Sequence, residues 1–572
     1  MNTRTLLFLM LAILGFMIYL EWQSDYAAPP RPEPAPAREE VEADPAVRPA
    51  EPLPEELPED VPDLPEIVEP TERRAQPDLP EPPEIRATRR LEVETDVLRV
   101  EIDPEGGSIV DLRLKKYPVS LDRPDEPFHL LLQDLPEWFV AQAGLLSDGR
   151  RAPNHTTPYE YDQDFFELAD GADRLEVPLY WRDDTGLEVT KKWIFHRADY
   201  VVDLEIEVRN DSGEAWRGSR YVQLQRTRPD RSNGIALTNP ERISYVGAAV
   251  YHPEDKFKKI GFGDFDSKAF QDTFEGGWAA MVQHYFVAAW VPPAEQRHRY
   301  ATRLVDAGQL PRHVLSATSP VVTVDDGGAY RFDARLYAGP KLQKRLEDVA
   351  PGLSLTVDYR FFTVLSKPLF WLLDWIYRVV GNWGLAIILL TLLIKIAFYK
   401  LTQAQFRSMG KLRKLQPRIQ QLKERFGDDR QKFGQAMMEI YKKEKVNPLG
   451  GCLPILVQIP IFIALYWVLL ESVELRQSSF LWVPDLSRPD PYFILPVVNG
   501  IFMIATQRLM PTGGMDPMQK KIMQWLPVVF AVLFALFPAG LVLYWAANSG
   551  ISLLQQWWIL RQLDAAEAKA RS

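Results

Sequence analysis

Polar side chains recur inside the long apolar segments of the C-terminal half, and their types and spacing could do chemistry. Lys395 lies in the run from Gly384 to Phe398, which holds no other charge, with Thr391 and Tyr399 one helical turn on either side. An ammonium near the middle of a bilayer costs about 2.5–3.5 kcal/mol and usually faces a watery cavity. Its chemistry there would be binding, because a single positive charge attracts acidic segments.

Other apolar segments each carry polar residues that could face the same cavity. They are Gln458 on one segment, Asn499 and Thr506 on the next, and Tyr544, Asn548, Ser552 and Gln555 on the last. The final four follow at i, i+4, i+8 and i+11, which places them on one face of a helix. Together with Lys395, Thr391 and Tyr399, they give four helices a polar face.

Two simpler interpretations compete with a polar cavity. Lys395 is about 7.5 Å from Lys400 along a helix axis, so its stem could snorkel to the headgroups. The uncharged groups could join helices by hydrogen bonds worth about 0.6–2 kcal/mol each. For any single residue the second interpretation is the simpler one, but hydrogen bonding between helices does not require a full charge. For the whole set a cavity is the better explanation.

The composition divides the chain of 572 residues, which is 25% charged and 46% hydrophobic, into unlike parts. Residues 89–360 read as a soluble domain large enough for its own core, and residues 369–560 are dominated by apolar stretches. The single cysteine, Cys452, excludes an internal disulfide framework and favours a small buried hydrophobe. The net charge of −11 is concentrated in residues 33–84, which argues against DNA or other nucleic acid as the general partner.

The N-terminal part contains an apolar segment and an acidic, proline-rich stretch. Residues 6–20 follow Arg4 and suit either a cleavable signal sequence or a retained anchor, and we predict a transmembrane helix over 1–22. Residues 23–88 are rich in Pro, Glu and Asp and poor in aromatics. Such a segment cannot bury enough apolar surface to offset chain ordering, so we predict an extended, disordered tether.

Residues 89–360 alternate apolar and polar side chains in short runs. In residues 202–208, Val202, Leu204, Ile206 and Val208 alternate with charged residues, which is typical of a half-buried strand. Turn sequences recur at 103–107, 183–186 and 325–328. The pattern predicts a large antiparallel β sandwich.

The sequence pattern of the remaining residues predicts an amphipathic interfacial helix at 366–380 and five membrane spans. The spans are 382–401, 449–472, 492–508, 522–537 and 541–560, separated by loops at 402–447, 473–491 and 509–521 and followed by a tail at 561–572. Residues 400–445 contain thirteen Lys or Arg and five Asp or Glu, whereas 473–491 contains two basic residues. The positive-inside rule places the basic loop and both termini in the cytoplasm and the β domain outside.

The cytoplasmic loop has two helical periods of apolar residues. They comprise Leu412, Leu415, Ile419, Leu422 and Phe426, then Phe433, Met437 and Ile440. We expect two short helices paired antiparallel, with a kink or restart near Gln416 because Pro417 removes a helix hydrogen bond. The loop is either a connector or, through its basic exterior, a docking surface for lipid headgroups, ribosomal RNA or another protein.

Enzyme signatures are not apparent. The sequence has no phosphate-cradling glycine loop, zinc-helix signature or nucleophile elbow, and its seven histidines are scattered. We therefore predict no catalytic residue, no metal ligand and no cofactor, although a β domain rich in acids could bring together a carboxylate pair that sequence cannot reveal.

Several ordered runs resemble the YidC family of membrane protein insertases. They are NPLGGCLP at 447–454, QIPIF at 458–462, VELRQ at 473–477, DPMQ at 516–519 and PAGLVLY at 538–544, together with GWAAMVQHYF at 277–286. The last run resembles the periplasmic domain of the Gram-negative form, so the resemblance covers essentially the whole chain.

The resemblance implies a multi-domain membrane protein of the bacterial inner membrane. Its expected parts are an N-terminal transmembrane anchor, a periplasmic β supersandwich and an all-α core of five helices around a hydrophilic groove that holds one positive residue. Lys395 occupies that position here, where the commoner residue is arginine. A lysine lacks the planar fork that holds a carboxylate with two bonds, but retains general attraction.

The resemblance also implies function and partners: insertion and folding of nascent membrane proteins, alone or with the Sec translocon and its accessory subunits, among inner-membrane lipids. The ribosome is a further candidate partner through the basic loop. We hypothesise that a client's polar segment enters the groove while its apolar helix slides along Ile459, Phe462, Val528 and Phe530. Two alternatives remain open: a six-span solute transporter, although no internal repeat is apparent, and a membrane-tethered glycan-binding or glycan-processing protein.

Overall fold

The computed structural model describes residues 90–148, 152–230, 243–305, 310–426, 429–444, 453–509 and 517–571. The predicted N-terminal helix (1–22), the whole of the tether (23–88) and the glycine-containing part of the 447–454 motif lie outside these residues. Within them, a β-rich part precedes a helical part.

The β-rich part contains nineteen strands in the described residues. They are β1 Leu91–Glu94, β2 Leu98–Asp103, β3 Ser108–Ser120, β4 Arg123–Leu132, β5 Phe139–Ser147, β6 Phe165–Glu167, β7 Arg174–Arg182, β8 Leu187–His196, β9 Val201–Asn210, β10 Trp216–Thr227, β11 Gly247–His252, β12 Lys256–Ile260, β13 Gln271–Glu275, β14 Trp278–Val282, β15 Phe286–Val291, β16 Arg297–Val305, β17 Arg312–Thr318, β18 Val322–Val324 and β19 Gly328–Pro340.

These strands form two large sheets. The first has eleven strands in the order β13-β16-β17-β10-β5-β4-β3-β2-β1-β6, with β18 beside β10. The second has eight in the order β12-β11-β14-β15-β19-β9-β8-β7. Every pairing is antiparallel except β1 with β6. The predicted antiparallel sandwich is confirmed.

The core lies between the sheets because each strand turns alternate side chains inward. On β9, Val202, Leu204, Ile206 and Val208 are all buried while the intervening charged residues are not, as the alternation predicted. Four tryptophans, Trp193, Trp216, Trp278 and Trp290, are among the largest fully buried side chains. Their indole areas supply much of the apolar burial that stabilises the sandwich.

Ten helices lie in the described residues: α1 Asp264–Ser267, α2 Gln343–Val349, α3 Thr363–Val380, α4 Trp383–Ala397, α5 Tyr399–Phe426, α6 Arg430–Lys443, α7 Leu453–Glu471, α8 Ile494–Arg508, α9 Pro517–Phe534 and α10 Ala539–Arg571. The α3 helix exposes Trp371 and Trp375, consistent with the amphipathic pattern. It ends at Gly381, whose φ of 67° favours glycine, and Asn382 then caps α4 by accepting from Leu385 N at 3.0 Å.

The helix bounds differ from the predicted spans. The 382–401 segment is divided near Phe398, and the last helix continues well past residue 560. Within the described residues, no helix taken singly combines the length and apolar composition needed to cross a bilayer; the pair Trp383–Ala397 and Tyr399–Leu412, bent by 69°, does so by length and composition.

The basic loop forms the predicted helical pair, α5 and α6. Leu415 and Ile419 are buried against Phe433 and Ile440. Asp429 caps α6 by accepting from Gln431 N and Lys432 N. Of the kink or restart predicted near Gln416, the restart is wrong, because α5 continues as one helix through Pro417, and the kink stays a prediction.

Candidate functional site

Lys395 points into the helical bundle and not along α4 toward Lys400. Its Nζ donates to Ser552 Oγ of α10 at 2.8 Å, and the residue is 6% exposed. Among the described residues no carboxylate lies within 4.0 Å of this nitrogen, so its partner is a neutral hydroxyl. This geometry excludes the snorkelling interpretation for the conformation seen here.

Side chains of α10 form hydrogen bonds with the polar residues of the other helices. Ser552 Oγ, which accepts from Lys395, donates to Asn548 O of its own helix at 2.7 Å. One turn earlier, Gln458 Nε2 of α7 donates to Asn548 Oδ1 at 2.7 Å. A chain of hydrogen bonds therefore runs from α4 across α10 to α7, with the main-chain carbonyl of Asn548 as one of its links.

A second polar connection joins α10 to α8. Ser549 Oγ donates to Asn499 Oδ1 at 2.9 Å, and Asn499 is 0% exposed. Gly550, the next residue of α10, lies against Phe502, where an added Cβ would come within 3.1 Å of the ring. The close approach of α8 and α10 depends on this small residue.

Three predicted groove residues do not join this network. Thr391 and Thr506 each donate to a carbonyl of their own helix, that of Ile387 at 2.7 Å and that of Phe502 at 2.8 Å. Tyr399 begins α5 beyond the bend and is half-buried. Thr391 is nevertheless buried one turn before Lys395 on the same face.

Aromatic rings form the apolar side of the bundle. Phe462 of α7 contacts Tyr544 and Trp545 at centroid distances of 6.1 and 4.6 Å. Trp545 in turn lies 5.2 Å from Phe534, which stacks on Phe530 at 5.7 Å. Tyr544 thus faces rings on one side, and the predicted residues Phe462 and Phe530 belong to one packed cluster.

The remaining two predicted apolar residues lie nearer the surface. Val528 is exposed on α9 together with Val529 and Val532, and Ile459 is half-buried on α7. The exposed valines recur at helical spacing and give α9 an apolar outer face. Of the four predicted apolar residues, Val528 therefore lies on an extended exposed apolar surface, that of α9.

Sequence reasoning missed two polar residues of α10. Ser549 is one residue off the predicted stripe, yet it holds the α8 contact. Gln556 is 1% exposed, and its Oε1 has no hydrogen-bond partner among the described residues. The sequence does indicate these residues, because 548–556 contains five Asn, Ser or Gln residues. A prediction of one polar stripe, however, includes only the residues on a single face of the helix.

The site combines one fixed positive charge with neutral donors and acceptors from four helices. Such a set can attract and hydrogen-bond a polar or acidic segment. Among the described residues, no group of three or more His, Cys, Asp or Glu is arranged to hold a metal ion.

Comparisons with known proteins agree across the chain. Residues 90–372 match the family model for the YidC periplasmic domain, and residues 375–567 match the model for the 60Kd inner membrane protein. Over 567 residues the chain is 45% identical to the membrane protein insertase YidC of Nitrosococcus oceani, covering 98% of this chain and 99% of the relative.

A second relative and a solved structure extend the comparison. The membrane protein insertase YidC of Alkalilimnicola ehrlichii is 48% identical over 570 residues, covering 99% of this chain and 97% of its own. A crystal structure of an active YidC insertase with its first transmembrane domain resolved covers 82% of this chain and 92% of its own, at 20% identity and a TM-score of 0.39.

Proposed function

The chain belongs to the YidC family of membrane protein insertases, and from this premise we propose that α4, α7, α8 and α10 form the groove that receives the polar segment of an inserting protein. In this proposal Lys395 supplies the positive charge. The amide and hydroxyl groups of Gln458, Asn548 and Ser552 replace water around the passing segment. Asn499, Thr506, Thr391, Tyr399 and Tyr544 complete its lining.

The observation that carries this proposal is the pairing of a buried ammonium with a neutral hydroxyl. A lysine that served only to stabilise the bundle would be expected to have a carboxylate partner, because an uncompensated buried charge is costly. Lys395 instead donates to Ser552. Its charge therefore remains available to a carboxylate brought by a client.

Two energy terms favour outward movement of an acidic client segment past Lys395. A polar segment that enters the groove leaves water over less than the full bilayer thickness, which lowers its desolvation cost. Each negative charge that moves outward gains about 2.3 kcal/mol per 100 mV of membrane potential. Insertion of acidic outer segments thus proceeds without a nucleotide.

The apolar side of the proposal concerns the client's own helix. We place its path along α7 and α9, past Ile459, Phe462, Val528 and Phe530. The exposed valines of α9 support the lipid-facing end of this path. There a client helix exchanges contacts with the insertase for contacts with acyl chains at little cost, since both are apolar.

Topology and partners complete the proposal. The excess of basic residues at 400–445 supports a cytoplasmic α5–α6 pair, cytoplasmic termini and a β domain in the periplasm. The same basic surface suits contact with the ribosome or with anionic headgroups. Cooperation with the Sec translocon and its accessory subunits is part of this proposal through family membership alone.

The groove charge is tested by reconstituting purified protein in vesicles and measuring insertion of a single-span client with an acidic outer tail. Lys395→Met is expected to lower insertion about tenfold, the loss of one charge-assisted contact, while Lys395→Arg retains it. The same client with its acidic residues replaced by Gln or Asn should be insensitive to either change. Equal insertion of the acidic client by Lys395→Met would refute the role of the charge.

A matched control removes a nearby charge outside the groove. Lys400 lies on the exposed side of α5, and Lys400→Met should leave insertion unchanged. A photo-crosslinker at position 458 or 544 should capture a stalled client, whereas one at the exposed Leu554 of α10 should not. Capture at 554 alone would place the client path elsewhere.

A further inference from the structure

The loop between α7 and α8 contains a tight turn with a strained leucine. Phe480 and Val483 pair as an antiparallel bridge, with Phe480 N donating to Val483 O at 2.8 Å and Val483 N donating to Phe480 O at 2.9 Å. Leu481 and Trp482 form the two-residue turn between them, and Leu481 has a φ of 52°. The first central position of such a turn requires a positive φ, which glycine adopts without strain. A leucine there costs conformational energy.

The Leu481 side chain is also apolar and open to its surroundings. The residue is 74% exposed, and residues 478–484 contain no charged side chain. A single exposed leucine is common on protein surfaces, but glycine at this position would remove both the strain and the exposed apolar surface. In water the side chain offsets none of the strain, whereas an apolar environment gains free energy by covering it. The strain and the exposure together indicate an apolar environment.

Hydrogen bonds hold both sides of the turn in place. Trp482 Nε1 donates to Asp490 Oδ1 at 3.2 Å, and Leu486 N donates to Ser478 O at 2.9 Å. Leu481 therefore cannot fold back against the protein unless these bonds break. Its side chain is presented outward by a fixed backbone.

The turn lies at the end of the helical bundle that contacts the β domain. Asn382, which caps α4, donates from Nδ2 to Ser479 O at 3.2 Å. In the same loop, Arg476 donates to Pro118 O of β3 at 2.7 Å. The loop is therefore located between the helical bundle and the β domain, a boundary that the proposed topology places at the outer surface of the membrane.

The exposed side of α3 ends beside the same turn. Its exposed apolar residues recur at spacings of seven and four, which places them on one face of the helix. They are Val364, Trp371, Trp375 and Val379. Phe370, Leu373 and Ile376, on the other face, are buried. The helix ends two residues before Asn382, whose side chain bonds to the turn, so the turn adjoins a helix face that suits the surface of a bilayer.

We propose that the turn at 480–483 is a lipid-contact site, at which the Leu481 side chain enters the acyl-chain boundary of the outer leaflet to a depth of about 5–10 Å. Its ligand is the hydrocarbon of a phospholipid and not a particular headgroup, because the turn has no charge to select one. Lipid contact offsets the backbone strain, and the bond to Asn382 then holds the outer end of α4 at a fixed depth. The inference rests on the membrane location in the proposed function and does not require the groove around Lys395.

The test labels one position at a time in the full-length protein, reconstituted in vesicles of zwitterionic phospholipid. Cys452→Ser removes the one native cysteine, and Leu481→Cys then carries a bimane fluorophore. Lipids with a nitroxide near the headgroup should quench this label more strongly than lipids with a nitroxide at the chain end. Added anionic lipid should not change the result. A label at Trp375→Cys on α3 should behave in the same way, whereas one at Val321→Cys should not be quenched.

Val321 is the matched control because it is apolar, 48% exposed and remote from the helices. It immediately precedes β18, where Val324 O accepts from Asn210 Nδ2 at 2.8 Å. Asn210 pairs with Gly328, at the opposite end of β19 from the one that leads to the helices.

The contribution of the leucine itself is measured with a label at the exposed Ser479. Leu481→Asn tolerates a positive φ but is polar, so it should lower the quenching of that label, whereas Leu481→Met should retain it. Equal quenching in both variants would show that the leucine does not hold the turn in lipid.

Two further outcomes would overturn the proposal. The first is quenching at position 481 no greater than at position 321; if position 375 were quenched in the same vesicles, the interfacial position of α3 would stand. The second is crosslinking of two chains through Leu481→Cys without quenching by lipid, since a second copy of the protein would then cover the turn.

Discussion

The Nζ atom of Lys341 lies 3.1 Å from Oε2 of Glu471, and both side chains are 1% exposed. Lys341 follows the last strand of the β domain and Glu471 ends α7. Lys341 also donates to Thr356 O at 3.1 Å, and Ser244 Oγ donates to Glu471 Oε1 at 2.6 Å. The β domain is thus joined to the helical core through a buried ion pair whose two members each have a further hydrogen-bond partner.

Breaking this pair should destabilise the protein strongly. Glu471→Ala leaves the Lys341 ammonium buried without its carboxylate, and we expect a loss of about 3–5 kcal/mol in the free energy of unfolding. The double variant Lys341→Met, Glu471→Leu should lose much less, because it buries no unpaired charge. Denaturant unfolding in detergent measures both.

A surface pair provides the control. Lys344 lies 3.4 Å from Asp374 with its side chain 58% exposed, so Lys344→Ala should cost about 1 kcal/mol or less. If the double variant is as unstable as Glu471→Ala, then the loss of the ion pair itself lowers the stability. The cost of leaving one buried charge unpaired would not explain the result.

The Gln458–Asn548 bond should couple α7 to α10. Gln458→Leu and Asn548→Leu each remove it, and a double-mutant cycle should give a coupling of about 0.6–1.7 kcal/mol, the range for polar contacts within membranes. Asn499 with Met503, which lie on one helix at 3.7 Å, serves as a pair within a single element and should show weaker coupling. A coupling near zero for Gln458 and Asn548 would mean that packing alone sets the distance between α7 and α10.

Glu474, in the loop between α7 and α8, should make stability depend on pH. Burial raises the pKa of this carboxyl from 4.5 to about 7, and its Oε2 has no hydrogen-bond partner among the described residues. Between these values the folded protein holds a proton that the unfolded chain has released. Stability should therefore fall as pH rises above about 4.5 and level off above about 7, by roughly 3 kcal/mol in total.

Thermal unfolding at several pH values checks this sign. Glu474→Gln should remove the slope between pH 5 and 7 and be the more stable protein at pH 8. Glu347→Gln, at a side chain 59% exposed, should keep the wild-type profile. A wild-type slope in Glu474→Gln would assign the dependence to other groups.

Gly384, near the start of α4, should not tolerate a larger residue. A Cβ at this position would overlap the ring of Phe480, which lies in the loop between α7 and α8. Gly384→Ala should therefore destabilise the protein by about 1–3 kcal/mol, as overpacked cores do, even though alanine favours a helix. Phe480→Ala in the same chain should restore part of the loss.

The matched control is Gly434, on α6, where an added Cβ meets no atom within 4 Å. Gly434→Ala should be neutral or stabilising, by about 1 kcal/mol of helix propensity. Destabilisation of both variants alike would remove the steric explanation.

The sequence predicted well wherever the signal is local. Alternation in 202–208 predicted β9 because the strand period is two, and the apolar repeat around Leu415 predicted the α5–α6 pair because the helix period is 3.6. The polar stripe predicted, for the same reason, that Asn548 and Ser552 share one face of α10, where both bond to neighbouring helices. The restart near Gln416 is wrong: Pro417 removes one hydrogen bond inside α5, yet the helix continues on both sides of it.

By itself, the sequence determined the two-part organisation, the β sandwich, the helical segments and the unusual position of Lys395. These follow from hydrophobic periods that a short window contains. Only the tertiary structure decided that Lys395 bonds to Ser552 and that Lys341 meets Glu471 across 130 residues. Such partners depend on the register of distant elements, which close packing of the whole chain fixes and local patterns do not encode.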